Sequence, residues 1–287
     1  MSVLEAIIYG IIQGIAEFLP ISSSGHLSLA QNFAPKLFGT EIGNAAEANL
    51  GFNVALHLAT LVSVCVVYRK DVWMLFMGFI SLIKKLFTGK LTKRLEKGEK
   101  LFLMLVIATL PLIPAKLLGY DDAVEVICGT SWAIGGLLML NGLMLFVIDR
   151  LKTENETTET SGLLRPFGVG VMQAVFGVLP GISRSGSTIT GGIVFGFSKE
   201  ESVRFSFLMS IPAILGACVL ELPDMFSEGV ASDMLLPIIA GAVTACAVGF
   251  LAIKLLQYLT KNKSFTFFAV YCIIVGLAAI IADIVIA

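Results

Sequence analysis

Charge is scarce in this chain: 14% of its 287 residues are Asp, Glu, Lys or Arg, against 56% that are hydrophobic. Soluble domains carry about 25% charged and about 45–50% apolar residues, so the shortfall excludes a soluble enzyme, a disordered chain and a nucleic-acid binder. Histidine is scarcer still. His26 and His57 are the two present, which argues against a histidine-rich metal cage. The five cysteines (Cys65, Cys128, Cys218, Cys246 and Cys272) are odd in number, form no CxxC pair and lie mostly in apolar runs, so they read as small core residues. No basic segment precedes the first apolar stretch and no small-residue cleavage site follows it, so residues 1–20 are expected in the mature protein. With 20 Lys+Arg against 21 Asp+Glu, no excess of one sign names a charged partner.

What the chain has instead is long apolar runs. A bilayer-crossing helix needs about 20 predominantly apolar residues. Six stretches qualify: Leu50–Tyr68, Leu101–Leu118, Ser131–Ile148, Ser202–Leu220, Leu235–Tyr258 and Phe265–Ala287. A shorter one, 72–87, runs into Lys84 and Lys85 and suits an interfacial helix. Short cytoplasmic loops collect Lys and Arg. The basic segment Arg69–Lys100 is therefore expected inside, with the polar loop Asp149–Arg165 and Lys261 and Lys263. The acidic loops holding Asp121, Asp122 and Glu125, and Glu221, Asp224, Glu228 and Asp233, are expected outside. Six spans satisfy every assignment and leave both termini outside.

Two apolar stretches are left over, and they resemble each other. Gly10, Gln13, Leu19-Pro20 and Ser22-x-Ser24-Gly25 in the first recur in order as Gly170, Gln173, Leu179-Pro180 and Ser183-x-Ser185-Gly186 in the second. Gln13 and Gln173 lie 160 residues apart, and one residue is inserted after the second proline, so half the chain is duplicated. The halves are 1–150 and 151–287, each opening on a helical hairpin (3–34 and 166–197) broken at Pro/Gly/Ser. Leu-Pro followed by Ser/Gly also suits an ordinary interhelical loop, but an acid at bilayer depth, Glu17, argues for re-entrant hairpins. Broken backbone is tolerated in a membrane only where protein buries it or it lines a wet cavity. Three spans separate the hairpins, so the second enters from the opposite side. The predicted fold is an all-α polytopic membrane protein with an inverted-topology repeat whose broken tips meet near the midplane.

Gln13 and Glu17, spaced i, i+4, share a helix face at the first break. Ser22, Ser23 and Ser24 open the next helix, where unpaired N–H groups and hydroxyls form an anion site as readily as they cap the helix. Arg184 brings a planar fork that suits phosphate oxygens. Ionisable groups at bilayer depth are costly, at least about 2.5 kcal/mol on insertion scales, and are functional by default. His26 offers a proton donor or a nucleophile. His57, i, i+4 after Asn53, fits a buried hydrogen-bonded histidine as well as a substrate contact.

At these residues the chain resembles the undecaprenyl-diphosphate phosphatase family, the integral-membrane bacitracin-resistance proteins. The resemblance rests on Gln13 to His26 (Gln-x-x-x-Glu running into Phe-Leu-Pro-x-Ser-Ser-x-Gly-His) and on Pro180 to Gly186 (Pro-Gly-x-Ser-Arg-Ser-Gly). It implies hydrolysis of a C55 lipid diphosphate to the monophosphate carrier, with phosphate released on the outer face of the bacterial cytoplasmic membrane. That reaction recycles the carrier for cell-wall synthesis and confers bacitracin resistance. Carried over by position, Glu17, Ser23, His26 and Arg184 form the catalytic set. Gln13, Ser22, Ser24, Asn53, His57, Ser183 and Ser185 form the substrate-binding set. Asn53 stands where the family often has an acid, so a carboxylate is absent there. Gln13 likewise stands where some members carry Glu. With Glu17 and Gln13 as its ligands, Mg²⁺ or Ca²⁺ is expected to be weakly held and to come with the diphosphate.

The residues leave the attacking group open among His26, Ser22 or Ser23, and water. The expected partners are a polyprenyl diphosphate lipid and the membrane, not nucleic acid, and a homodimer stays open. The alternative function is a secondary transporter or lipid flippase, because inverted repeats with broken helices are common in carriers.

Overall fold

The computed structural model describes residues 1–38, 50–89, 95–118, 124, 126–151, 157–228, 234–262 and 264–286, with backbone alone at 34–38, 222, 224–228, 262 and 286. Among these residues the regular elements are all helices. Asp121, Asp122, Glu125, Asp233, Lys90, Lys93, Arg94 and Lys263, used above for orientation, lie outside the described residues.

The chain opens on a helix pair, α1 (Val3–Phe18) and α2 (Ser23–Phe38). Ser2 starts α1 with a reciprocal cap: its hydroxyl accepts from the Glu5 amide at 3.2 Å, and the Glu5 carboxylate accepts from the Ser2 amide at 2.7 Å. The helix ends at Leu19, which has ψ 143° because the residue before a proline, here Pro20, is pushed out of the helical region. The second pair, α8 (Leu164–Val175) and α9 (Arg184–Val194), follows the same plan. There Ser183 caps α9, its hydroxyl accepting from the Gly186 amide at 3.0 Å.

Six helical stretches are long and apolar enough to cross a membrane, which makes this a multi-pass membrane protein. They are α3 (Leu50–Val67), α5 with α6 (Lys97–Thr109 and Leu112–Leu117), α7 (Ser131–Ile148), α10 (Lys199–Glu228), α11 (Leu235–Asn262) and α12 (Thr266–Ile286). The stretch expected as one helix over 101–118 is interrupted, since Pro111 has no amide hydrogen for the ladder. The span expected to begin at Ser202 begins a turn earlier, because the Ser198 hydroxyl accepts from the Glu201 amide at 3.2 Å. The short amphipathic helix is also a turn longer than its expected 72–87, running as α4 (Arg69–Phe87). Large apolar side chains such as Phe267, Val243 and Ile284 stand exposed on the outer faces, as lipid contact requires.

The halves are interleaved rather than set side by side. Helix α1 packs on α11 of the second half, while its counterpart α8 packs on α5 of the first. Gly10 and Gly170, equivalent in the repeat, do equivalent work. A side chain on Gly10 would strike the Gly241 carbonyl, and one on Gly170 the Ala108 carbonyl. Small residues let helix backbones approach closely where lipid supplies no hydrophobic driving force between them. The same device joins α7 to α12, where a Cβ on Gly142 would lie 2.6 Å from the Ala269 carbonyl oxygen.

Asp149, just past the end of α7, ties three helix ends together. Its carboxylate accepts from Lys199 Nζ at 2.7 Å and from the Thr266 hydroxyl at 3.0 Å. Burial alone would raise its pKa, but Lys199, Ser264, the Phe265 amide and Thr266 outweigh it and hold the value at about 2. A lowered folded pKa means the contribution is complete above the ordinary value of about 4 and is lost as pH falls toward about 2. Asp149→Asn should therefore cost about 2 kcal/mol at neutral pH. It should lower the thermal midpoint in detergent, with the gap to the unaltered chain closing between about pH 4 and pH 2. A gap that persists below pH 2 would contradict this account.

Candidate active site

The two breaks meet. Gly181, at φ +102°, sits so close to Gly25 that a Cβ on Gly25 would fall 2.8 Å from the Gly181 Cα. A left-handed φ and direct backbone contact leave room only for glycine at both places. The Gly181 amide donates to Ser22 Oγ at 3.2 Å, and the same oxygen accepts from the Gly25 amide at 3.2 Å. The Ser185 hydroxyl reaches back to the Leu19 carbonyl at 3.4 Å.

Asn141, in the middle of α7 and 0% exposed, braces both breaks. Its Nδ2 donates to the Pro20 carbonyl at 2.9 Å and its Oδ1 accepts from the Ser183 amide at 3.1 Å. Each is a backbone group that a broken helix cannot satisfy for itself.

Glu17 lies at the centre, 7% exposed on the last turn of α1. Four elements converge on its carboxylate. Arg184 pairs with Oε1, while Oε2 accepts from Ser23 Oγ and from Gln13 Nε2, each at 3.1 Å. His57 Nδ1 on α3 lies 3.9 Å from Oε2. A carboxylate can only accept, so the Gln13 amide turns its NH₂ toward it, and that nitrogen also lies 3.1 Å from His57 Nδ1. The imidazole is 43% exposed, so the cluster opens on that side.

Allowing for the inserted Gly181, Ser23 and Arg184 occupy the same register of the repeat: each is the first residue of its helix. The positive ends of two helix dipoles thus point at one place, beside a hydroxyl and a guanidinium, which is an arrangement that attracts an anion.

The structure brings together Gln13, Glu17, Ser23, His57 and Arg184, all expected from the sequence. Ser24 is exposed beside Ser22 (Oγ–Oγ 3.4 Å), and Asn53 is half-buried a turn before His57. Ser22, Ser183 and Ser185 are buried, and their hydroxyls are spent on caps and cross-tip bonds. His26 is turned elsewhere: its Nδ1 lies 2.7 Å from the Ser22 carbonyl and its Nε2 2.9 Å from Tyr271 Oη. Asn141 and Tyr271 were not expected. Asn141 did carry a signal, being an amide in the middle of an apolar run.

The second hairpin repeats the scaffold without the acid. Gly177 stands where Glu17 does, and Gln173, the counterpart of Gln13, is buried with its amide nitrogen unpartnered.

Fold and site together define a multi-pass membrane protein with an acid, a guanidinium and a serine hydroxyl gathered where two broken helices meet. A family model for bacitracin resistance protein BacA matches residues 6–278, and the chain belongs to that family. It is 37% identical over 290 residues to an undecaprenyl-diphosphatase of Methanosphaera stadtmanae, with 99% of each chain covered. It is 36% identical over 284 residues to one of Rubrobacter xylanophilus, with 98% of each covered. Against one of Alkaliphilus metalliredigens it is 36% identical over 278 residues, covering 96% of this chain and 97% of the relative.

Asn141→Ala leaves the Pro20 carbonyl and the Ser183 amide buried without partners, at about 1–3 kcal/mol each. The thermal midpoint in detergent should drop accordingly, and any lipid-diphosphate turnover should fall with it. An unchanged midpoint would show that the tips hold without the brace.

Proposed function

We propose that the chain is an integral-membrane undecaprenyl-diphosphate phosphatase, releasing phosphate from the lipid diphosphate and returning the monophosphate carrier for cell-wall synthesis. The observation that carries this is the Glu17–Arg184–Ser23 cluster at two converging helix N-termini, in a chain similar over its full length to undecaprenyl-diphosphatases. The duplicated hairpins, each with its first helix packed on the other half, support an inverted repeat with re-entrant tips. The loop charges support a site opening to the outer face of the cytoplasmic membrane. Every side chain in the reading comes from one chain, so it requires no second copy.

Phosphoryl transfer is largely a matter of positioning and of stabilising charge on the transferred group. The incoming diphosphate competes for the Arg184 guanidinium, whose fork takes two of its oxygens while helix-end amides take others. Glu17 Oε1 is then left open. Ser23 fits the attacking group better than Ser22 or His26. Its hydroxyl already lies on the carboxylate, whereas the Ser22 oxygen accepts two amides and both His26 ring nitrogens are engaged. The Ser23 oxygen forms a bond to the terminal phosphorus, its proton passes to Glu17, and the P–O bond to the lipid monophosphate breaks. Water then forms a bond to the same phosphorus as the P–O bond to Ser23 breaks, the Glu17 proton returns to the Ser23 oxygen, and the water's proton leaves with the phosphate.

Both oxygens of Glu17 face donors, and among the described residues no three His, Cys, Asp or Glu side chains come together. With those donors in place Glu17 and Gln13 would hold a Mg²⁺ or Ca²⁺ ion only weakly, once the diphosphate has drawn Arg184 off Oε1. A Mg²⁺ or Ca²⁺ ion would come in on the diphosphate, and the substrate-free protein should bind Mg²⁺ no tighter than about 1 mM by equilibrium dialysis.

Purified protein in detergent should release phosphate from a C55 diphosphate with no gradient present, which a carrier would not do. Arg184→Ala should lower kcat by about 10³ or more, with Arg184→Lys recovering only part. Glu17→Ala should lose about 10²–10⁴. Near-normal turnover in the Arg184 variant would sink the clamp. Rapid quench should trap phosphate on Ser23. Single-turnover transfer of ¹⁸O from water with no trapped intermediate would replace the serine with direct water attack.

A further inference from the structure

His26 sits one turn into α2, and both of its ring nitrogens are committed. A carbonyl can only accept, so Nδ1, 2.7 Å from the Ser22 oxygen, carries the proton. In the neutral ring Nε2 is then the acceptor, and the group facing it at 2.9 Å is the Tyr271 hydroxyl, which donates. The two rings also stack, with centroids 5.6 Å apart and planes 8° from parallel. Tyr271 comes from α12, in the other half of the chain, and is half-buried there.

What His26 holds is a strained turn. Ser22 has φ +73°, a left-handed conformation that costs any residue with a Cβ and persists only where surrounding contacts over-determine it. Its hydroxyl is fixed by the Gly25 and Gly181 amides and its carbonyl by His26. The next residue is Ser23, whose hydroxyl lies on Glu17. A continuous run of bonds therefore leads from the last helix through His26 and the Ser22 turn to the reacting cluster.

We propose that Tyr271 is a positioning residue: its hydroxyl, donating to Nε2, fixes the plane of His26, whose Nδ1–H holds the Ser22 turn and so aims the Ser23 hydroxyl. This rests on the phosphatase reading for its consequence in rate, but not for the hydrogen bond to Nε2.

Tyr271→Phe keeps the stacked ring and removes only the donor. The chain has just two histidines, so selective ¹⁵N-histidine labelling in detergent micelles yields two sets of ring signals, which His57→Gln assigns. The unaltered protein should show His26 as the Nδ1–H tautomer with Nε2 accepting a hydrogen bond, and Tyr271→Phe should keep that tautomer and move the Nε2 signal toward that of an unbonded acceptor. Its kcat should fall by about tenfold, the loss of one hydrogen bond, with KM within twofold. In a His26→Gln background the same change should move kcat by less than twofold, since residues acting through one another are not additive. Unmoved His26 signals in Tyr271→Phe would overturn the proposal, whether or not kcat falls, and so would full additivity in the double variant. The nitrogen spectra need no substrate, so a failed phosphatase reading would show separately, as absent turnover in the unaltered chain.

Discussion

A helix broken inside an apolar bundle exposes backbone amides and carbonyls that neither lipid nor a dry interior can satisfy. This chain has two such breaks, and each supplies what the other lacks. Gly181 donates to Ser22, Ser185 to Leu19, and Asn141 stands between them with its carbonyl toward one break and its NH₂ toward the other. The glycines at 25 and 181 follow from that close approach: a side chain on Gly25 would hold the two backbones apart, and one on Gly181 would strike the Ile134 carbonyl of α7. The halves are joined at the same place: α1 packs on α11 and α8 on α5, while α2 packs on α7 and α9 on α10 within their own halves.

The same geometry decides where charge can live. Glu17 is buried and Arg184 half-buried, and the carboxylate would not be tolerated there alone. Together they make a neutral unit, with Gln13 and Ser23 filling the remaining acceptor positions of the carboxylate. In the proposed reaction a diphosphate entering beside His57 brings its own negative charge to the guanidinium and to two helix N-termini. The resting ion pair is then exchanged for a new one rather than destroyed.

Most of this could be read in the sequence because its signals are local. The spans follow from uninterrupted apolar runs, and the hairpins from Leu-Pro-x-Ser and its repeat 160 residues later. Glu17 and Arg184 stood out as charged groups with no solvent to explain them, whereas Ser23 suited a helix cap as well. Helix ends were legible only in part. Pro111 interrupts a run whose composition is apolar throughout, and Ser198 starts α10 a turn before its apolar run begins. The roles of His26, Ser183 and Ser185 were not legible, because each is set by a partner distant in sequence: Tyr271, Asn141 and Leu19. A serine at a helix start looks alike whether its hydroxyl faces a ligand or caps the helix. Only the tertiary contact separates the two.

The duplication yields one centre rather than two, and a single position shows why. In the first hairpin the helix before the break ends with Glu17; in the second the equivalent residue is Gly177, where a Cβ would press on the Gln173 carbonyl at 2.9 Å and on the Arg184 backbone at 3.3 Å. Arg184, whose backbone lies over that spot, takes the register that Ser23 holds in the first copy once the residue inserted after Pro180 is allowed for. A second acid at 177 would have no room and no cation, and would stand as a like charge near Glu17 in an interior that screens poorly. Losing the acid and gaining the guanidinium are therefore one structural change, which turns two equivalent tips into complementary halves of a single site.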